Sequence, residues 1–146
     1  MSNFMIGLPT KQGNSEVLTG ENLEGDAVPE GYALVSIESG VVGEIIGVAT
    51  PTVYGFKVGQ TIGGSTQVVL QGLGIGLPSE SDLATDDPVY VNPLTGLITA
   101  AGTANAVEVP RAVVRAGSVN VYDSDGSKIN DNSTIYGVEV DLGVYF

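Results

Sequence analysis

Asp87-Pro88-Val89-Tyr90-Val91-Asn92-Pro93-Leu94-Thr95-Gly96-Leu97-Ile98-Thr99-Ala100 decides how the rest of this chain is read. Two short runs, Pro88 to Val91 and Leu97 to Ala100, carry β-branched and aromatic residues and flank Asn92 to Gly96. Pro93 presets a turn dihedral and Gly96 can take positive φ, so the segment predicts a β-hairpin.

The same grammar extends in both directions. Upstream, Tyr32 to Ile37, Gly43 to Ala49, Thr52 to Phe56 and Thr66 to Leu70 have strand length and composition. Downstream, Val107-Glu108-Val109 and Ala112 to Ala116 are strand-like and divided by Pro110, which belongs at an edge or bulge. Ser118 to Tyr122 leads into a turn at Asp123-Ser124-Asp125-Gly126-Ser127. The last run, Ile135 to Leu142, alternates, with Tyr136, Val138, Val140 and Leu142 on one face and Glu139 and Asp141 on the other. That pattern predicts a half-buried strand with a solvated acidic face. No segment of helical length carries a helical stripe; Ser79 to Ala84 at most begins a helical turn capped by Ser79 or Ser81. Strand candidates recur about every ten residues, as in sandwiches and barrels. The expected fold is therefore all-β, a small barrel or sandwich of short antiparallel strands over residues 31–146.

Composition supports one such unit. The chain has 146 residues, 42% hydrophobic and 15% charged, with 21 Gly and 7 Pro, which suits a loop-rich β domain better than a helical bundle. Residues 1–30 differ: the apolar run Phe4-Met5-Ile6-Gly7-Leu8 precedes an acidic, Gly-interrupted tract without helical or strand period. This reads as an extended N-terminal arm whose apolar tip could add a strand to a neighbour's sheet.

Charge narrows the function. Five Lys plus Arg face 17 Asp plus Glu, a net charge of -12, so phosphate backbones and anionic membranes are repelled. The acidity otherwise favours solubility or a basic partner. No apolar stretch approaches the roughly 18 residues of a membrane span. The chain has no Cys and no His, removing thiolate chemistry, Cys-ligated metals and the commonest general base.

The remaining motifs are weak as chemistry. Gly72-Leu73-Gly74-Ile75-Gly76 has the look of a phosphate loop, but Leu77 and Pro78 follow where a helix should begin. A strand or connection with close backbone approach fits better. Asp123-x-Asp125-Gly126 starts like a calcium loop, yet Thr134 stands where a bidentate Glu is needed and Asp131 alone could add a carboxylate. An Asp-Gly hairpin turn is the better explanation. No Ser has a recognisable activating Lys, and no acid pair is marked for acid–base work. We expect a non-enzyme without cofactor or resident metal. Arg111 and Arg115, four apart on a strand, would share a face and could clamp carboxylates within the chain or across an interface.

Four features taken in order resemble the cement, or decoration, proteins of tailed-bacteriophage capsids. They are Gly47-Val48-Ala49, the Asp87 to Ala100 hairpin, Arg111-Ala112-Val113 and the closing strand Gly137 to Leu142. The resemblance covers roughly the last two-thirds of the chain and leaves residues 1–30 outside it. It implies a homotrimer on the outer surface of the virion, assembled in the host cytoplasm, that binds the major capsid protein and bridges its neighbouring copies. Candidate interface residues are then Phe4, Met5, Ile6 and Leu8 of the arm, Arg111 and Arg115, and the apolar pair Tyr145 and Phe146. The alternative is a virion-associated glycan- or receptor-binding β module with a cleft lined by Tyr32, Tyr54, Tyr90 or Tyr122.

Overall fold

A computed structural model describes residues 3–7, 16–21, 28–38, 41–62 and 65–143. The strands are β1 (Asn3–Met5), β2 (Glu16–Glu21), β3 (Ala33–Glu38), β4 (Val41–Glu44), β5 (Val53–Ile62), β6 (Ser65–Ser79), β7 (Pro88–Val91), β8 (Ile98–Thr99), β9 (Val107–Gly117), β10 (Asn120–Tyr122) and β11 (Tyr136–Leu142). The fold is all-β, with no helix among the described residues.

Pairing closes the strands upon themselves. β11, β9, β7, β8 and β6 follow one another and β11 returns to β6, which makes a closed five-strand barrel. A second circuit runs β6, β2, β4, β3, β5 and back to β6. Closure removes sheet edges that would otherwise invite foreign strands. β6 belongs to both circuits: residues Ser65 to Gln71 pair with β2, and Gly72 to Ser79 with β11. Most pairs are antiparallel, as expected, but β1–β10, β2–β4 and β6–β8 are parallel.

The hairpin forms where the sequence places it, with Tyr90 opposite Thr99 and Val91 opposite Ile98. Gly96 has φ +80° and its N–H donates to the Asn92 carbonyl at 2.7 Å. Two other readings change. The strand expected over Gly43 to Ala49 stops at Glu44, because Gly47 turns the chain at φ +86° and Val48 N–H bonds back to the Ile45 carbonyl. The helical turn expected from Ser79 does not form. Ser79 ends β6, and its hydroxyl donates to the carbonyls of Ser81 and Ile98 while accepting from Ser81 N–H.

The arm also differs from expectation. Where described, residues 1–30 supply two strands: β1 lies parallel to β10, and β2 runs antiparallel along β6. Phe4 and Ile6 are buried in the main core with Phe56, Ile75, Leu77 and Val138. The Gly-rich stretch explains why they fit. A Cβ at Gly76 would collide with the Phe4 side chain, so glycine leaves the slot into which β1 presses its ring. Gly7 N–H then bonds to the Gly76 carbonyl at 3.0 Å. A smaller core gathers Val28, Leu34, Val42 and Val68 on the second circuit.

Phe4→Ala should lower stability by about 3–5 kcal/mol, and Gly76→Ala by about 1–3 kcal/mol through overpacking. In urea unfolding Gly76→Ala should still destabilise in the Phe4→Ala background, because the atom nearest to the added methyl is the Phe4 Cβ, which alanine keeps. A Gly76→Ala cost that vanished in that background would contradict this packing.

Candidate functional site

The final strand departs most from its reading. Glu139 and Asp141, expected on a solvated face, are 7% and 3% exposed. β11 is flanked by β6 and by β9, and each neighbour bulges beside the acids. On β6, Leu142 faces Gly72 and Val140 faces Ile75, which leaves Leu73 and Gly74 together opposite Asp141. The Asp141 carboxylate accepts from Gly74 N–H at 2.9 Å. On β9, Val140 faces Val114 and Glu139 faces Ala116, so Arg115 is the extra residue. Its Nε and Nη2 donate to one Asp141 carboxylate oxygen at 2.8 and 2.6 Å. These hydrogen bonds, with the charges of Asp141 and then Glu139, raise the Arg115 pKa above its ordinary value.

This geometry corrects the arginine clamp. Arg111 and Arg115 are not four apart on one regular strand, because β9 is irregular between them. β7 pairs Tyr90 with Glu108 but Pro88 with Val113, so β9 loops out around Pro110. Arg111 has φ +58° and its Nη2 reaches the Gly143 carbonyl at 3.5 Å.

A groove of about 310 Å³ opens beside that loop, walled by Tyr54, Leu70, Gln71, Pro110, Arg111 and Gly143 among others. A second cleft, about 360 Å³, has Ile6, Pro78, Ile129 and Ile135 in its walls and Glu30, Tyr32 and Asp123 among its polar groups. Its two acids serve the turn beside them. Glu30 accepts from the Ser124 N–H and hydroxyl, both at 2.9 Å, and Asp123 from the amides of Asp125 and Ser127, both at 2.9 Å. Asp131 caps the next loop, accepting from the amides of Ser133, Thr134 and Ile135, which hold its carboxyl far below the usual range. Among the described residues no group of three or more His, Cys, Asp or Glu is placed to hold a metal ion. Tyr54 borders the first groove and Tyr32 the second, while Tyr90 and Tyr122 line neither.

Glu80 supports the hairpin from below. Its carboxylate accepts from Asn92 Nδ2 at 2.9 Å, Thr95 Oγ1 at 2.7 Å and Thr99 Oγ1 at 2.9 Å. Burial works to raise its pKa, but the three hydrogen bonds outweigh it and the pKa falls. Burial, and then the Glu80 charge, push the Tyr32 phenol upward. The turn so held presents Leu94, 73% exposed, at the molecule's surface. Ala33 N–H bonds to the Gly96 carbonyl at 2.8 Å, which ties this turn to β3 and brings it beside Ile45. Ile46 and Val48, next along that loop, are 47% and 39% exposed. Reading Gly43 to Ala49 as strand hid these two; Gly47 and Pro51 were the signal that the chain turns there.

Of the candidate interface residues, Phe4 and Ile6 are corrected: they are buried in this chain's own core and are not exposed at an arm's tip. Met5 between them is 51% exposed. Arg115 is paired with Asp141, and Arg111 borders the groove. Leu8, Tyr145 and Phe146 lie outside the described residues.

No family model and no curated protein matches this sequence. A solved structure does: a chain of "The capsid of Myoviridae Phage XM1" superposes with a TM-score of 0.60. The fold is shared with a phage capsid chain. Identity is 20%, and the match covers 95% of this chain and 91% of that one.

Two tests follow from the local chemistry. Arg115→Ala leaves the buried Asp141 without its cation and should cost about 1–3 kcal/mol in urea unfolding, moderated by the half-exposed guanidinium; Arg115→Lys should recover only part. Glu80 titrates lower folded than unfolded. Its stabilisation is therefore complete above its ordinary pKa of 4.5 and is lost as pH falls through the depressed folded value. Glu80→Gln should flatten the acid side of the stability profile; an unchanged acid slope would remove Glu80 as its source.

Proposed function

We propose that this chain is a structural virion protein of a tailed phage that binds the outside of the head and bridges neighbouring major capsid subunits. The observation that carries this reading is the match of fold over nearly the full length of a phage capsid chain. The order of motifs that resembles cement proteins supports the finer role, as does the net charge of -12. An acidic body is repelled by packaged DNA and is better accommodated on the outer face. A homotrimer is part of the same proposal.

A non-catalytic role fits the side chains. The chain has neither His nor Cys. The acids of the second cleft are engaged by the 123–127 turn, and Asp141 by Arg115 and Gly74. The mechanism is mass action: a protein that binds the assembled lattice and not its separated subunits stabilises it by RT ln(1 + [L]/Kd), multiplied over many copies. Burial of Phe4 and Ile6 changes the part expected of the arm. Deleting Met1 to Leu8 should destabilise the domain itself instead of weakening attachment alone.

Purified protein should co-sediment with empty, expanded capsids of the cognate phage at a fixed ratio to the major capsid protein. It should also raise their melting temperature. Absence of binding at both low and moderate salt would overturn the reading and favour the glycan- or receptor-binding module.

A further inference from the structure

The apolar lining of the second cleft, about 360 Å³ in volume, includes Ile6, Pro78, Ile129 and Ile135. Ile6 and Pro78 are buried, and the other two are half-buried. The backbone fixes these walls. Ile6 N–H donates to the Tyr122 carbonyl at 2.9 Å, and Ile129 N–H to the Val121 carbonyl at 3.0 Å. The Ile135 carbonyl accepts from the amides of Asp131 and Asn132 at 3.0 and 2.9 Å. A recess whose walls are held before a ligand arrives loses little free energy to ordering on binding.

Two carboxylates, Glu30 and Asp123, complete this lining, and no Lys or Arg is among the lining residues. Both carboxylates meet at one turn. Glu30 accepts from the Ser124 N–H and hydroxyl, and Asp123 from the amides of Asp125 and Ser127. These donors are neutral, so they hold the carboxylate oxygens in place and compensate neither negative charge. A carboxylate offers about four acceptor sites. The turn takes two from each, which leaves the others for a donor that arrives through the cleft. Both acids are half-buried, where salt screens a charge less than on open surface.

We propose that this cleft receives an arginine side chain of the protein partner, its methylene stem along Pro78, Ile129 and Ile135 and its guanidinium between Glu30 and Asp123. Charge complementarity selects that occupant. A neutral or acidic group brings no counter-charge, and an alkyl chain alone would desolvate two carboxylates without a cation to offset the cost. A lysine ammonium is a strongly hydrated point charge, whereas a guanidinium is less hydrated and spreads its donors in a plane that can serve two carboxylates. Its stem also buries well along apolar walls. Arginine is among the residues that most often anchor protein interfaces. The inference rests on the attachment role above and names the residue type that the partner's surface offers.

The test is a titration of the isotope-labelled full chain followed by amide and isoleucine-methyl NMR. The probe is N-acetyl-arginine-N-methylamide, and the control is the citrulline compound, its neutral counterpart of the same shape. The arginine probe should shift the Ile129 and Ile135 methyls and the Ser124 amide saturably and bind roughly tenfold more tightly than the control. Glu30→Gln and Asp123→Asn each keep an oxygen that accepts from the turn but lose the charge. Each should weaken arginine binding, and the two together should abolish the preference over citrulline. Amides of β7 and β9, which do not line the cleft, report an intact fold. Equal binding of the two probes, arginine binding unaffected in both variants, or shifts spread over the acidic surface without saturation at the cleft would overturn the proposal. Movement of the Ile129 and Ile135 methyl signals in the free chain on Lys11→Gln would place this chain's own cation in the cleft and overturn the foreign partner. Because no capsid is present, failure here leaves the sedimentation result standing, and failure of sedimentation leaves this one.

Discussion

The Asp141 carboxylate is the interaction on which the closed barrel depends. It is buried within β11 and reaches both neighbours, the Gly74 amide of β6 on one side and the Arg115 guanidinium of β9 on the other. A buried charge of this kind is costly unless hydrogen-bonded and paired. Here both conditions are met at bulges, one on each adjacent strand: Gly74 stands in the β6 bulge opposite Asp141, and Arg115, the extra residue of β9 beside Glu139 and Val140, reaches it with its side chain. The register of three strands is thereby fixed at one point, since a slip by one residue would leave the carboxylate facing the opposite side. Glu139, two residues earlier on the same strand, adds a second negative charge to the field around Arg115.

The other consequence of this arrangement is that β6 continues unbroken from one circuit into the next. Its glycines are part of the device. Gly74 takes φ +68° within the bulge, and Gly76 leaves the space that Phe4 fills. The first strand of the chain is therefore packed against the centre of the barrel, and the seam where β6 changes partners becomes a groove. Carboxylates also hold the loops, through hydrogen bonds to nearby amides and side chains. Glu80 fixes the hairpin that presents Leu94, and Asp123 and Asp131 cap the loops on either side of Lys128.

Local chemistry made much of this legible. The hairpin at Asn92 to Gly96, the alternation of β11 and the turn at Asp123 to Ser127 all follow from residues near in sequence. What was hidden depended on contacts distant in the chain. Glu139 and Asp141 look solvated because alternation reveals that a strand has two faces, but not that both are covered. Phe4 and Ile6 look like a loose tip because their burial requires Gly76 and β10, far along the chain. Pro110 announced an irregularity, yet the consequence, two arginines with separate partners, needed the pairing of β9 with both β7 and β11. The groove at Arg111 had no signature at all, since its walls come from four separated strands.

The barrel is closed and the chain carries a net charge of -12, which suits the proposed attachment outside a phage shell. The most direct test is electron cryomicroscopy of cognate heads carrying the protein. The account predicts barrel-sized density on the outer surface, contacting at least two adjacent major capsid subunits. Density on the inner surface, or a head with none, would contradict it.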